Sequence, residues 1–366
     1  MADIVTRRLT TQRLAGEPFG SATDAMRWFG PVQSQDYAAG KWALGMRVLG
    51  ATDAALDRLF DSGAILRTHV MRPTWHFVLP ADIRWIQELT SGRVMASLAG
   101  RHRQLELDSR TIGRAIELFG EALSGGHFMT RSELGEVLSA AGISVDGQRL
   151  PHLISTAEHA NVITSGPRRG KQFTYALLAE RAKNAKRLDP ERSLAELTVR
   201  YFRSRGPAQL KDFGWWSGLT LKQIREGIHL AGSALQRETI DGTDYWFGDE
   251  ERPARNGLVA HLLPNFDEFT VAYRDRTALL DPTISFDPKL FAYYRDATPM
   301  GGMLSNIVTI GGRVRGAWSR TLTPKVVQVE IRPLAPFRPR EESAIRTAAA
   351  ALGAFLEREG RVTIRR

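Results

Sequence analysis

The residues with most to offer chemically lie in one short stretch, Pro31-Val32-Gln33-Ser34-Gln35-Asp36-Tyr37, followed by Lys41-Trp42-Ala43-Leu44. Gln33 and Gln35 are two apart, and residues so spaced do not share a helix face. At a helix start the backbone is not yet regular, and two amides there can converge on one point. A glutamine carries a carbonyl acceptor and two N–H donors but is a poor base. A pair therefore suits positioning of a water or a sugar oxygen rather than proton abstraction. Glutamines are also ordinary residues at helix starts, so the pair alone decides nothing. Other catalytic signatures fail: there is no G-x-x-x-x-G-K-[ST], H-E-x-x-H or G-x-S-x-G, and no G-x-G-x-x-G opening a helix. The eight histidines are scattered and cysteine is absent, which excludes disulfides, zinc–thiolate sites, iron–sulfur clusters and a cysteine nucleophile. Neither a metal nor another cofactor is expected.

Charge is the second chemical feature. Fifty Lys and Arg against 40 Asp and Glu give a formal net charge of +10. The sequence pI of about 10.1 points to a polyanion partner. Basic composition also occurs in proteins of other functions, so the arrangement of the charges matters more. The most concentrated cluster is Gly166-Pro167-Arg168-Arg169-Gly170-Lys171, between Val162–Thr164 and Gln172–Leu177. It reads as a hairpin tip suited to phosphates.

Three stretches of helices followed by a hairpin position these residues. At 128–178, Thr130-Arg131-Ser132-Glu133 is a capping box opening a helix that Gly142 stops. Leu150 to Ala160 form a second helix, followed by the basic hairpin. At 193–247, helices from Ser193, Ala208 and the Thr220-Leu221-Lys222-Gln223 box precede two strands around Asp241-Gly242, a strong two-residue turn signal. The first 95 residues follow the pattern less cleanly, with helices near Thr10–Leu14, Thr23–Phe29, Ser34–Val48 and Asp53–Phe60, then strands Ile65–Val70 and Thr74–Leu79. Leu98–Leu123 reads as a helical connector. Beyond 258, strands at Val259–Leu263, Ile307–Ile310, Arg313–Trp318 and Lys325–Ile331 suggest a small antiparallel sheet or barrel. An Ala-rich helix from Arg340 to Arg358 closes the chain. The longest uncharged run, Ala297–Gly312, has 16 residues with four glycines and a proline. A membrane span needs roughly 20 mostly apolar residues. With no signal-like N-terminus, a cytoplasmic address is expected.

Val32-Gln33-Ser34-Gln35-Asp36-Tyr37 with Trp42-Ala43-Leu44 resembles the active-site region of the AlkZ-like winged-helix DNA glycosylases. Further matching stretches are Arg67–Phe77, Thr130–Leu134, Ser165–Gly170, Gly206–Ala208, Asp212–Leu219, Leu263–Glu268 and Gly312–Trp318. The resemblance implies an α+β fold of tandem winged helices followed by a small antiparallel β-barrel, with a concave DNA-binding surface. The corresponding segments are 1–97, winged helix with the catalytic motif; 98–127, connector; 128–185 and 186–255, second and third winged helices; and 256–366, barrel with terminal helix. The family motif is Gln, a small or aliphatic residue, then Gln, with Asp last in another branch. Gln33 and Gln35 fit the first form, with polar Ser34 between them. Asp36 is one place late for the second branch.

The implied reaction is hydrolysis of the N-glycosidic bond of N7- or N3-alkylated purines in double-stranded DNA, with crosslink unhooking in some members. Gln35 is expected to orient the water and Gln33 to hold water or sugar, in a monofunctional enzyme acting as a monomer. Arg72, His76, Arg168, Arg169 and Lys171 are the expected DNA contacts, His76 alternatively standing behind the glutamines. Trp215, Trp216 and Trp318 are expected in the core. A non-catalytic winged-helix regulator fits the charge and the hairpins equally well. The paired amides are what separate the two.

Overall fold

A computed structural model describes residues 4–249, 258–291 and 302–365. The expected boundary at 255/256 and the start of the long uncharged run lie outside the described residues. The first helical unit runs helix Ala22–Phe29, strand Val32–Gln33, helices Tyr37–Gly45 and Asp53–Ser62, then a hairpin of Leu66–His69 and Trp75–Val78. Its caps explain the breaks. Ser21 accepts from the Asp24 N–H, Asp36 from Ala39 and Thr52 from Ala55, while Gly63 ends the last helix at φ 83°. The strand Val32–Gln33 was not expected. It is short, lies just before the expected helix, and adds to the hairpin's return strand, giving the sheet order 32–33, 75–78, 66–69.

The second unit repeats this order with helix Ser109–Leu123, strand Met129–Thr130, helices Arg131–Ala140 and Arg149–His159, and strands Ile163–Ser165 and Thr174–Leu177. Its sheet is again ordered first, third, second. The Thr130–Glu133 capping box forms as expected. Ser109–Leu123 is more than a connector. Ala115, Phe119 and Leu123 are buried against Leu134, Leu138, Leu153 and Ile154, so the helix belongs to this unit's core. In the third unit, helices Pro190–Arg205, Leu210–Ser217 and Leu221–Ala231 precede the hairpin Gln236–Ile240/Thr243–Phe247. A single bridge, Ala208 to Trp246, stands where the other units have a strand. Asp241 and Gly242 both take positive φ, as a two-residue hairpin turn requires.

The C-terminal unit corrects the barrel expectation. Its five-stranded sheet runs 359–364, 326–333, 313–322, 307–310, 260–263, and among the described residues its two edge strands do not pair. The sheet is also mixed. The terminal strand Glu359–Ile364 lies parallel to Val326–Pro333, reached through helix Pro339–Phe355, whose length is that of a crossover connection. The chain therefore closes on a strand, not on the expected helix. Its alternation of exposed and half-buried residues is a weak strand signal after so long a helix.

The cores cross the expected boundaries. One cluster joins Trp42, Phe60 and Phe77 of the first unit to Leu262, Trp318, Val329 and Phe355 of the C-terminal unit. Another joins Leu66, Met71 and Val78 to Tyr201, Phe213 and Trp216 of the third. The first unit is thus packed on both sides, and its hairpin and motif are held by neighbours. Among the described residues, no helix is long and apolar enough to cross a membrane.

Candidate active site

Gln33 ends the short strand and Gln35 lies in the bend before the helix that starts at Tyr37. The irregular backbone expected at this point is present, though the helix starts three residues later than Ser34. Gly40 is required for this approach. A Cβ there would stand 2.9 Å from Ser34 Cβ and 2.9 Å from the Phe77 ring. Ser34 itself is buried.

The two side-chain carbonyls are each held by a donor. Arg72 donates to Gln33 Oε1 at 2.9 Å, and the Trp75 backbone N–H donates to Gln35 Oε1 at 3.1 Å. A guanidinium and a peptide N–H cannot accept, so both amides are oriented without ambiguity. One lone pair of each carbonyl is used. Neither side-chain NH2 donates to another described residue, so four N–H groups and two lone pairs stay available between them. Gln33 is buried and Gln35 exposed, placing the pair across the border of protein and solvent.

Two further groups fix the motif's backbone, and a third holds the hairpin beside it. Glu268 Oε1 accepts from the Gln33 N–H at 2.9 Å, while its Oε2 is shared by Arg205, at 2.7 and 2.8 Å, and Trp216 Nε1, at 3.1 Å. Arg205 is fully buried and Glu268 nearly so, which makes this a desolvated ion pair whose partners come from the third and C-terminal units. Arg67 donates to the carbonyls of Ser34 and Gln35, at 3.0 and 3.3 Å, with its guanidinium 4.4 Å from the centroid of the Trp75 ring. Burial pushes the Arg67 pKa down to about 10, so it is still a cation at neutral pH. From the second unit, buried Glu158 holds His69 Nδ1 and Thr68 Oγ1 and so ties the hairpin to helix Arg149–His159.

His76, expected at the DNA surface, has no exposed surface in this structure. It is the cross-strand partner of Gln33, and its Nδ1 lies 2.9 Å from the Thr74 carbonyl. Burial, with Arg72 nearby, holds its pKa well below the ordinary imidazole range, so it is neutral. Its position matches the alternative, a residue behind the glutamines. Its Nε2, Ser34 Oγ and Thr74 Oγ1 are buried with no hydrogen-bond partner among the described residues.

The basic cluster separates into three different environments. Arg168 is mostly buried, with its side chain 19% exposed. It pairs with Asp61 at 2.8 Å and Asp57 at 2.9 Å, on the helix behind the motif, and hydrogen bonding to Asp61 raises its pKa. Arg169 is exposed but bonds Glu133 at 2.6 Å and the Phe128 carbonyl at 2.9 Å. Lys171 is exposed and makes no ion pair among the described residues. Arg72, expected on phosphate, is partly buried and directed to Gln33. Trp216 and Trp318 are core residues, but Trp215 is 41% exposed.

A family profile described as DNA glycosylase AlkZ-like matches residues 26–355. The chain belongs to the AlkZ-like DNA glycosylase family. The matched span contains the two glutamines and every residue described around them. The Streptomyces sahachiroi DNA glycosylase AlkZ has a similar fold: TM-score 0.78, 19% identity, covering 99% of this chain and 98% of that one. No curated protein matches the sequence. In this AlkZ-like chain, Arg67, Glu268, Arg205 and Glu158 are the positioning residues that spacing did not reveal. They lie tens to hundreds of positions from Gln33. Arg67 and Glu268 do fall within stretches that carried the family resemblance; their roles do not follow from those stretches.

Proposed function

We propose that the protein is a monofunctional DNA glycosylase that hydrolyses the N-glycosidic bond of purines alkylated at N7 or N3 in duplex DNA, including purines held in interstrand crosslinks. The observation that carries this reading is the orientation of Gln33 and Gln35 by Arg72 and the Trp75 N–H. A purine alkylated at N7 is cationic and leaves C1′ as a neutral base, so strong acid assistance is not required. What the site must supply is a placed water and a field that tolerates positive charge on the sugar. The free lone pair of the Gln35 carbonyl accepts from the water, and the Gln33 amide holds the water or a sugar oxygen. The water oxygen bonds C1′ as the C1′–N9 bond breaks, and the water's proton passes to solvent.

Lys41, the lysine nearest in sequence, is held by Asp53 at 2.8 Å and Asp57 at 2.7 Å, which argues against a Schiff base and for base release without strand cleavage. The three helix–hairpin units are read as winged helices that present a concave face to DNA, with segments 1–97, 128–185 and 186–255 and the C-terminal unit 256–366 acting as one monomeric body in the cytoplasm. A surface that approaches the lesion in the groove, rather than swallowing the base, suits bases tethered across strands.

The test is release of free 7-methylguanine from methylated duplex. Wild type is expected to release base, with nicks only after hot alkali. Gln35→Ala is expected to bind DNA normally but to excise on the order of 100-fold more slowly, the scale of a misplaced reacting group. Binding without release in wild type would instead favour a DNA-binding module.

A further inference from the structure

Trp215 is the large side chain whose exposure the proposed chemistry leaves unexplained. Its neighbours on the helix, Phe213 and Trp216, are fully buried, yet Trp215 is 41% exposed. It is nonetheless fixed. Its indole Nε1 donates to the Val271 carbonyl at 2.9 Å, and the buried Arg276 guanidinium lies 5.6 Å from the ring centroid. The Arg72 guanidinium lies 6.0 Å from the same centroid. Arg72 is the residue that holds Gln33, so the ring is one guanidinium away from the motif. Two more contacts keep it there. Trp216 shares Glu268 with the Gln33 backbone. Gly218, at φ 74°, brings the helix end so close to the hairpin that a Cβ would stand 2.9 Å from the Met71 carbonyl.

A rigid, exposed indole beside a reaction centre offers a ligand a large, pre-oriented π-face. Resting on the glycosylase reading, we propose that Trp215 is a specificity-determining residue: its π-face receives the positively charged alkylated purine. Indole is the best natural cation–π partner, and 6.0 Å is the outer limit of that attraction for Arg72. Arg72 stays on Gln33 Oε1, and the exposed part of the indole is the surface that the purine meets. A neutral purine gains little from the same face, so the site discriminates by charge rather than by shape, and the bulk of the alkyl group does not matter.

The experiment compares Trp215→Phe with Trp215→Leu. Both lack the Nε1 anchor, and they differ in having or lacking a π-face. Single-turnover release of 7-methylguanine is expected to fall about tenfold in Trp215→Leu and about threefold in Trp215→Phe. Affinity for unmodified duplex should stay within twofold in both, and the two melting temperatures, each lowered by loss of the Nε1 anchor, should lie close together. In the Gln35→Ala background, preference for 7-methylguanine duplex over unmodified duplex should be kept by Trp215→Phe and lost by Trp215→Leu. Equal effects of the two substitutions would overturn the proposal. So would a parallel loss of affinity for unmodified DNA, or a loss of rate with binding preference intact, which would place the ring against the sugar. If wild type releases no base at all, the glycosylase reading falls. The binding preference of the wild type and of Trp215→Leu then still decides whether Trp215 senses the charge.

Discussion

Arg72 donates to Gln33 Oε1 from the turn of the hairpin whose return strand pairs with the Gln33 strand. The contact turns a flexible amide into an oriented one, and it gives Arg72 a role other than phosphate binding. Arg72→Ala is accordingly expected to slow base excision by about 10- to 100-fold, since a reacting group that is free to rotate loses that order of rate. Arg72→Lys should recover part of it, because an ammonium can donate but lacks the fork. Single-turnover release of 7-methylguanine at saturating enzyme is the measurement. Full activity in Arg72→Ala would show that Gln33 needs no such support.

The carboxylate that holds the Gln33 backbone can be tested through stability. Glu268→Gln leaves Arg205 a buried cation without a counter-charge, a change that costs about 3–5 kcal/mol when both partners are desolvated. Arg205 is fully buried and makes two bonds to Glu268, so the loss should approach that range. Urea unfolding followed by tryptophan fluorescence would show it as a lowered midpoint with an unchanged slope. A shift below about 1 kcal/mol would mean that water replaces the carboxylate.

Local elements were legible in the sequence where a capping or turn residue marks them. Thr130–Glu133, Thr220–Gln223 and Asp241-Gly242 all do so, and their elements fall where expected. The strand Val32–Gln33 was missed because two residues carry no periodicity, and only the remote hairpin makes them a strand. The placement of individual charges was not legible for a related reason. Arg47, Arg205 and Arg315 are paired inside the protein with Asp267, Glu268 and Glu341, so part of the basic composition never reaches the surface. Sequence gives the sign of a charge but not its partner, and the pairing of Arg168 with Asp57 and Asp61 was hidden for that reason. The Gln33–Gln35 pair was legible as a pattern. Its orientation was not, because Arg72 and Trp75 come from a hairpin some forty residues on.

Stability should fall in mild acid. Burial holds the His159 pKa at about 3 and the His261 pKa at about 4, with His76 also well below its ordinary value. The unfolded chain takes up protons at these residues near pH ~6.5. The native protein does so only at much lower pH, so the unfolded state binds more protons throughout the interval. The stability present above pH ~6.5 is therefore lost as pH falls, by up to about 1.4 kcal/mol per unit for each histidine. For His261 the loss continues to about pH 4 and for His159 to about pH 3. Urea midpoints at pH 7, 6 and 5 would show the decline, and His159→Gln should flatten it. A pH-independent midpoint over that range would contradict the burial of these rings.

The last prediction separates the basic residues at the second hairpin. Arg168 is tied to Asp57 and Asp61, and Asp57 also accepts from Tyr37 and Lys41, beside the motif. Arg168→Glu places a third carboxylate among them and should cost about 2 kcal/mol, less than a fully buried pair because all three groups are partly solvated. Its main effect is on folding and on the motif's support. Lys171→Glu changes an exposed side chain and should alter stability by no more than about 0.5 kcal/mol. Its effect belongs on DNA. If the wild type neutralises ~6 phosphates, log K against log salt has a slope of about −5, and losing one contact makes it shallower by about 1. Arg169→Glu should act in the same direction but more weakly, since Glu133 already competes for that guanidinium. Salt titrations of duplex binding, run beside urea melts, distinguish the three. If Lys171→Glu leaves the slope unchanged, this hairpin faces away from DNA, and the phosphate contacts must come from the first and third units.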